Sequence, residues 1–139
     1  LQGRTDTYPK RRGVTRVKEL WQQGTNVSFG HDCVQDPWYP LGTGSMLNVA
    51  SLGLHICQMT GMDEMNACYD MVTWNGAKTL NLAAEYGLEI GKPANLVILN
   101  ASNRYEAIRQ QAIARYVISR GKLLARTEAP RTAWRGNLE

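Results

Sequence analysis

The sequence lacks the features that mark membrane proteins and disulfide-stabilised proteins. No stretch approaches the run of about 18 apolar residues that a transmembrane helix requires. The polar start at residues 1–4 has neither an initiator Met nor an apolar signal segment, so we expect a fragment of a longer chain or a processed product. The 3 cysteines are odd in number and form no CxxC pair, which argues against a disulfide framework and a zinc knuckle. Reduced thiols in a cytoplasmic protein are the expectation.

Acidic residues are outnumbered: 16 Lys and Arg against 12 Asp and Glu give a net charge of +4. Much of the basic excess lies early in the chain, at Arg4, Lys10, Arg11, Arg12, Arg16 and Lys18. Only Tyr8 is interleaved with these charges, whereas a nucleic-acid surface usually combines basic side chains with aromatics or a known motif. We therefore expect a solvated or subunit-contacting loop, and neither a nucleic-acid nor a membrane partner.

Apolar spacing predicts a helix over about residues 14–21 and a strand over 26–29, which ends at Gly30. A loop rich in Pro and Gly follows. Further along, the pattern predicts two short helices within 63–82, a strand at 95–99, a short helix at 103–111 and a hairpin at 115–126. The front resembles the last turn of a larger α/β array, and the later strands resemble part of a second, mostly β layer.

Residues 43–59 form the clearest predicted helix. Its polar residues recur every three or four positions, at Asn48, Ser51, His55 and Gln58, and nearly all other positions are apolar. A helix with so narrow a polar stripe is buried on several sides. This breadth favours packing within a large domain or in a homo-oligomer.

The pair His31-Asp32 follows the predicted strand directly. Side chains at the carboxyl ends of strands face the active site in parallel α/β barrels, so a carboxylate here could bind a metal ion or accept a proton. The alternative is structural: an Asp that caps a loop, and a His that bonds a backbone carbonyl.

The residues Asn-Val-Ser-Phe-Gly-His-Asp at 26–32, followed by Asp-Pro-Trp-Tyr-Pro-Leu-Gly at 36–42, resemble the last barrel strand and loop of bacterial cytosine deaminases of the amidohydrolase superfamily. Residues 1–13, residues 87–99 and Gly121-Lys122 match the same family. The similarity runs over nearly the whole chain. The loop motif is specific to these deaminases, whereas the strand motif near residue 95 occurs in many amidohydrolases.

The resemblance implies an α/β fold: the C-terminal part of a (β/α)8 metal-dependent hydrolase barrel in residues 1–86, and part of a flanking β-sandwich with a tail in residues 87–139. It implies hydrolytic deamination of cytosine, a small-molecule pyrimidine, to uracil and ammonia. It also implies one divalent metal, iron or zinc, with Asp32 as both metal ligand and catalytic proton acceptor.

Most of the implied metal ligands are missing, because the sequence has only 2 histidines, His31 and His55. A catalytic metal typically needs three or more protein ligands, so we expect the others outside this chain and the isolated chain to be inactive. The signature of the small zinc deaminases, HxE with PCxxC, does not occur.

Three residues near Asp32 receive predicted roles from the resemblance. Trp38 would form an aromatic wall against a flat pyrimidine, with a packed loop anchor as the alternative. Cys33 stands where related deaminases carry a second Asp, which predicts a less polar wall and room for 5-methylcytosine, or else a harmless packing change. His31 would hydrogen-bond the metal-binding carboxylate or its surroundings.

Two other functions remain open. One is a non-catalytic module that uses the helix at 43–59 for self-association. The other is a deaminase of a different aminated heterocycle, such as a purine analogue.

Overall fold

The computed structural model describes residues 5–9 and 13–130 of the chain. The elements are α1 (Val17–Gln22), α2 (Met46–Ile56), α3 (Met62–Met71), α4 (Trp74–Thr79), β1 (Leu96–Leu99), α5 (Arg104–Arg109), β2 (Ala114–Ser119) and β3 (Lys122–Arg126). All five predicted helices are confirmed, as are the strand at 95–99 and the hairpin. The predicted front loop and the C-terminal tail lie largely outside the described residues. Within the described ranges, no helix has the length and apolarity needed to cross a membrane.

The core lies between the helices. Its buried residues come from α1, α2, α3, α5 and the turn after α2: Val17, Ala50, Leu54, Met59, Ala67, Cys68, Met71 and Ile108. Met59, Cys68 and Met71 are completely buried, and the Cys68 sulfur lies 3.9 Å from the Met59 sulfur. Helical spacing places these side chains on facing surfaces, and their removal from water stabilises the bundle.

Helix α2 is buried on fewer sides than its composition predicts. Val49, Ala50 and Leu54 are buried against the core. On another face, Leu52 and Ile56 are 47% and 56% exposed. The prediction therefore holds for one side of the helix only, because no element among the described residues covers the other.

The strand predicted at 26–29 is wrong for this chain: no β-strand occurs between α1 and α2. Its backbone is held by helices instead. The Phe29 N–H donates to the Met71 carbonyl at 3.0 Å, and the Asn75 amide donates to the Val27 carbonyl at 2.9 Å. A strand requires a ladder of hydrogen bonds to a neighbouring strand, and none of the described residues supplies that neighbour.

The three strands form one antiparallel sheet in the order β1-β2-β3. The β2–β3 turn is Arg120-Gly121, where both residues have positive φ, 47° and 75°, as a tight hairpin turn requires. The Asn95 side chain accepts the Arg120 N–H at 2.8 Å and ties β1 to this turn. The structure thus confirms α/β content with a small antiparallel sheet.

Candidate active site

Phe29 fixes the path of the chain into the candidate site by packing against helix α2. A Cβ at Gly53 would lie 2.3 Å from the Phe29 ring, so the ring occupies space that only glycine leaves free. Together with the hydrogen bond from Phe29 to Met71, this contact sets where residues 30–33 emerge beside α2.

An open concavity of about 960 Å³ lies at this point, between the segment at 28–33, the following loop and α2. All four predicted site residues line it: His31, Asp32, Cys33 and Trp38. Helix α2 contributes a second wall through Asn48, Val49, Leu52, Gly53 and Ile56. Tertiary structure therefore brings the residues of the loop motif to one surface.

Asp32 is exposed in this concavity. It lines the concavity, and within the described part of the chain it forms no hydrogen bond or ion pair. The alternative in which Asp32 caps its own loop therefore has no support in the geometry, since capping requires the carboxylate to accept a backbone N–H.

His31 is half-buried, and its Nε2 atom is buried without a hydrogen-bond partner among the described residues. An unsatisfied buried nitrogen costs about 1–3 kcal/mol. The unpaired Nε2 gives no support to the alternative in which this atom of His31 bonds a nearby backbone carbonyl. It agrees with a histidine whose partner is supplied when the site is complete.

The Cys33 thiol is half-buried beside two carboxylates. Burial raises its pKa, and a hydrogen bond with Asp36 and the nearby charge of Asp32 raise it further. Because the ordinary thiol pKa already lies above neutrality, Cys33 is a neutral thiol at pH 7. This protonation state argues against a nucleophilic role, which requires the thiolate.

Trp38 is 79% exposed although it lies between two prolines. That exposure contradicts the alternative of a packed loop anchor. The indole ring forms part of the wall of the concavity and is available to contact a flat ligand.

Asn48 lines the concavity and Asp36 lies in the adjoining loop, and sequence reasoning assigned chemistry to neither. The Asp36 carboxylate accepts the backbone N–H groups of Trp38 and Tyr39 at 2.9 and 3.0 Å and so caps the start of this loop. These bonds, that of Tyr39 foremost, lower its pKa. Asn48 reaches the concavity from α2. Its place on the polar stripe was the only signal in the sequence.

A metal ion does not fit the described residues alone. They contain no group of three or more His, Cys, Asp or Glu side chains that could hold one. Asp32 offers a single carboxylate, which is fewer than the three or more protein ligands that a catalytic metal typically needs.

Comparison with known proteins gives a family match that agrees with the loop motif. The model of an amidohydrolase family matches residues 1–125. The chain belongs to the amidohydrolase family. Membership confirms the resemblance inferred from the loop motif.

Among solved structures, the chain is similar to a deaminase. The chain is 51% identical to 5-methylcytosine deaminase from Klebsiella pneumoniae, liganded with 5-fluorocytosine, over 99% of this chain and 33% of that one, with a TM-score of 0.91. A second structure of that enzyme, liganded with phosphonocytosine, is 52% identical over 96% and 32% of the two chains, with a TM-score of 0.88.

A more distant relative is N-isopropylammelide isopropyl amidohydrolase from Pseudomonas sp. (strain ADP), 31% identical over 81% of this chain and 28% of that protein. The chain thus spans about a third or less of the length of the proteins it matches.

Proposed function

We propose that this chain is part of a metal-dependent aminohydrolase that deaminates cytosine or 5-methylcytosine, releasing ammonia and uracil or thymine. The observation that carries the proposal is the grouping of Asp32, Cys33 and Trp38 on one concavity. Its support from relatives is the 51% identity to an enzyme named 5-methylcytosine deaminase.

The proposed division of the parent fold follows the two halves of the chain. Residues 1–86 would be the last units of a (β/α)8 barrel, and residues 87–139 part of a flanking β-sandwich. Two features support this: the segment at 26–29 lacks a strand partner within the described residues, and the antiparallel sheet begins only at β1. Pairing of residues 26–29 with an earlier strand of the full-length enzyme would supply the missing hydrogen bonds between strands.

Asp32 is proposed as one ligand of a divalent metal, iron or zinc, whose other ligands lie outside this chain. A metal bound there supplies an activated water for attack on the ring carbon. Asp32 is also the proposed catalytic proton acceptor, since its carboxylate is exposed and makes no bond within the described residues. His31, with its unpaired Nε2, would hold this carboxylate or its surroundings in place.

Cys33 favours the methylated base within this proposal. A neutral thiol needs less solvation than a carboxylate, so it can lie against a methyl group on the pyrimidine ring. Trp38 would provide the flat wall for the ring.

The test is a chimeric enzyme. The first two thirds of the Klebsiella 5-methylcytosine deaminase would be joined to this chain at the structurally matched position, and ammonia release would be measured with cytosine and 5-methylcytosine. We expect activity on both bases, its loss in Asp32→Ala and its retention in Asp63→Ala, an exposed aspartate on α3. A folded, metal-loaded chimera without activity on either base would contradict the proposal.

A second candidate is the deamination of another aminated heterocycle. It is favoured by the relatives, which include the N-isopropylammelide enzyme and a pterin deaminase from Rhizobium rhizogenes that is 27% identical over 90% of this chain and 28% of that protein. Assaying the chimera with these heterocycles beside the two cytosines distinguishes the candidates.

Homo-oligomerisation and a cytoplasmic location are further proposals. The exposed apolar residues of α2 support homo-oligomerisation. The three free cysteines support a cytoplasmic location. The alternative of a non-catalytic self-association module predicts an oligomer of this chain and an inactive chimera.

A further inference from the structure

The loop from Cys33 to Gly42 returns to its own start. A Cβ at Gly42 would lie 2.8 Å from the Cys33 carbonyl oxygen and 2.8 Å from the Val34 Cα. Gly42 is buried, although Leu41 and Thr43 on either side of it are exposed. Residue 42 is therefore packed directly against the peptide unit that joins Cys33 to Val34.

Space, rather than backbone conformation, explains the glycine at position 42. Gly42 does not have the positive φ that Gly44 adopts two residues later, so its conformation does not by itself require glycine. The atoms that a Cβ would meet belong to the backbone, and they cannot turn aside as the end of a flexible side chain can. Any larger residue at position 42 would therefore displace the Cys33–Val34 peptide or be displaced by it.

A methyl group at position 42 would move Cys33 by as much as a binding site tolerates. Favourable contact between carbon atoms begins at about 3.5 Å, so the 2.8 Å contacts would have to lengthen by roughly 0.5 Å or more. The peptide unit is planar and moves as one body, and it includes the Cys33 Cα. Side chains that shape a site must be held within about 0.5 Å of their working position. The displacement is therefore large enough to change the site at Cys33.

We propose that Gly42 is a positioning residue, which sets where the Cys33 side chain lies in the wall of the concavity and so how much room a substituent on the pyrimidine ring has. Cys33 lines the concavity, whereas Gly42 is not among the residues that line it. The inference deepens the proposed function and rests on it for the identity of the ligand. Gly42 is assigned no contact with the substrate, and it acts through the Cys33 backbone alone.

The first experiment tests the contact in this chain without reference to activity. Alkylation rates of Cys33 and Cys57 would be measured by peptide mass spectrometry in the wild type, Gly42→Ala and the control Gly76→Ala. Cys57 is the internal reference, because it is half-buried like Cys33 and lies outside the concavity. The control makes the same change in helix α4, where the added Cβ has no neighbour within 4 Å.

We expect Cys33 to react several times faster in Gly42→Ala than in the wild type, because the displaced peptide no longer holds the thiol in its half-buried place. The Cys57 rate should stay the same, and neither rate should change in Gly76→Ala. An unchanged Cys33 rate would overturn the proposal. Equal acceleration of both cysteines would overturn it too, since Gly42 would then be needed for the whole fold rather than for the position of Cys33.

The second experiment measures specificity in the active chimera. Gly42→Ala should lower the ratio of kcat/KM for 5-methylcytosine over cytosine by about tenfold, the lower end of what one misfitted methyl group costs. Introduced together with Cys33→Ala, the same change should have almost no further effect on that ratio, because the side chain through which it acts is gone. An equal fall in both backgrounds, or no fall in either, would overturn the positioning role.

The two experiments separate this inference from the proposed function. A folded, metal-loaded chimera with Gly42 intact that is inactive on both bases contradicts the deaminase proposal. The alkylation rates of Cys33 and Cys57 then still decide whether Gly42 holds Cys33 in place, because they are measured in this chain and need no turnover.

Discussion

Cys33 determines how polar the wall of the concavity is. It lies next to the exposed Asp32. Burial, followed by the nearby Asp36 and Asp32 carboxylates, raises the pKa of its thiol. A carboxylate in its place would put a third negative charge on the same short segment. Under the proposed function, this one residue type would decide whether the site favours an apolar substituent or a polar contact.

We expect Cys33→Asp in the active chimera to lower the ratio of kcat/KM for 5-methylcytosine over cytosine by about tenfold or more. One methyl group in a fitted pocket is worth roughly 10–200-fold, and a carboxylate against that group would lose its solvation. Steady-state kinetics with both bases measure the ratio. The matched control is Cys57→Ala, since this cysteine lies outside the concavity. Equal ratios in Cys33→Asp and wild type would end the hypothesis.

Cys68 gives a residue-scale prediction about stability. Burial, followed by the nearby Cys57 and Glu64, raises its pKa from 9.0 to about 11. The unfolded chain releases this proton near its ordinary pKa, whereas the native chain keeps it. The native state is therefore fully stabilised below pH 9 and loses stability as the pH rises from 9 through about 11.

Two pKa units correspond to at most about 3 kcal/mol. Urea unfolding between pH 8 and 11.5 would measure this loss, and Cys68→Ala should show a shallower decline because it removes the titrating group. A decline of equal slope in both proteins would contradict the assignment to Cys68.

At the scale of elements, the contact between Phe29 and helix α2 determines where the site forms. The Phe29 ring lies where a side chain at position 53 would be. With glycine there, α2 and the segment at 26–31 approach more closely than they could with any larger residue at position 53. Helix propensity alone would favour alanine at this position. The glycine is explained by packing rather than by a turn.

We expect Gly53→Ala to destabilise the chain by about 1–3 kcal/mol, because the added methyl overlaps the Phe29 ring and forces it aside. The matched control is Gly76→Ala in α4, where an added Cβ has no neighbour within 4 Å. That change should instead stabilise by about 0.5–1 kcal/mol.

Thermal or urea unfolding tests whether the overlap with the Phe29 ring causes the loss of stability. The variants compared are Gly53→Ala, Gly76→Ala, Phe29→Leu and the double variant Phe29→Leu with Gly53→Ala. The double variant should cost less than the sum of its single changes, since the smaller side chain relieves the overlap. Strict additivity would show that the clash is not the reason.

At the scale of the whole molecule, the proposed function requires groups that the described residues do not supply. The exposed faces of α2 and the strandless segment at 26–29 both lack neighbours among the described residues. Asp32, the proposed metal ligand, likewise has no further metal ligands grouped with it among the described residues.

We expect the purified 139-residue chain to bind no stoichiometric iron or zinc and to release no ammonia from cytosine or 5-methylcytosine. The reason is that a divalent metal held by one carboxylate has too few ligands to stay bound. Metal analysis and an ammonia assay provide the measurement, with the intact Klebsiella enzyme as the positive control. Turnover by the chain alone would contradict the expectation.

Local sequence pattern was enough for much of the fold. Helix periodicity, the position of Gly121 in the hairpin turn and the apolar strand at 96–99 depend on interactions between neighbours in the chain, and these elements were predicted. The strand at 26–29 was not predictable in the same way, because a strand exists only through a partner that its own residues cannot specify.

The sequence by itself determined the family, and it predicted the residues of the candidate site, since the loop from His31 to Trp38 is a contiguous motif. Only the tertiary structure decided that the Asp36 carboxylate accepts the N–H groups of Trp38 and Tyr39, that Trp38 is exposed rather than packed, and that α2 supplies the opposite wall through Asn48. These are contacts of folded atoms: a hydrogen bond or a packed ring depends on distance and direction, which the order of residues does not record.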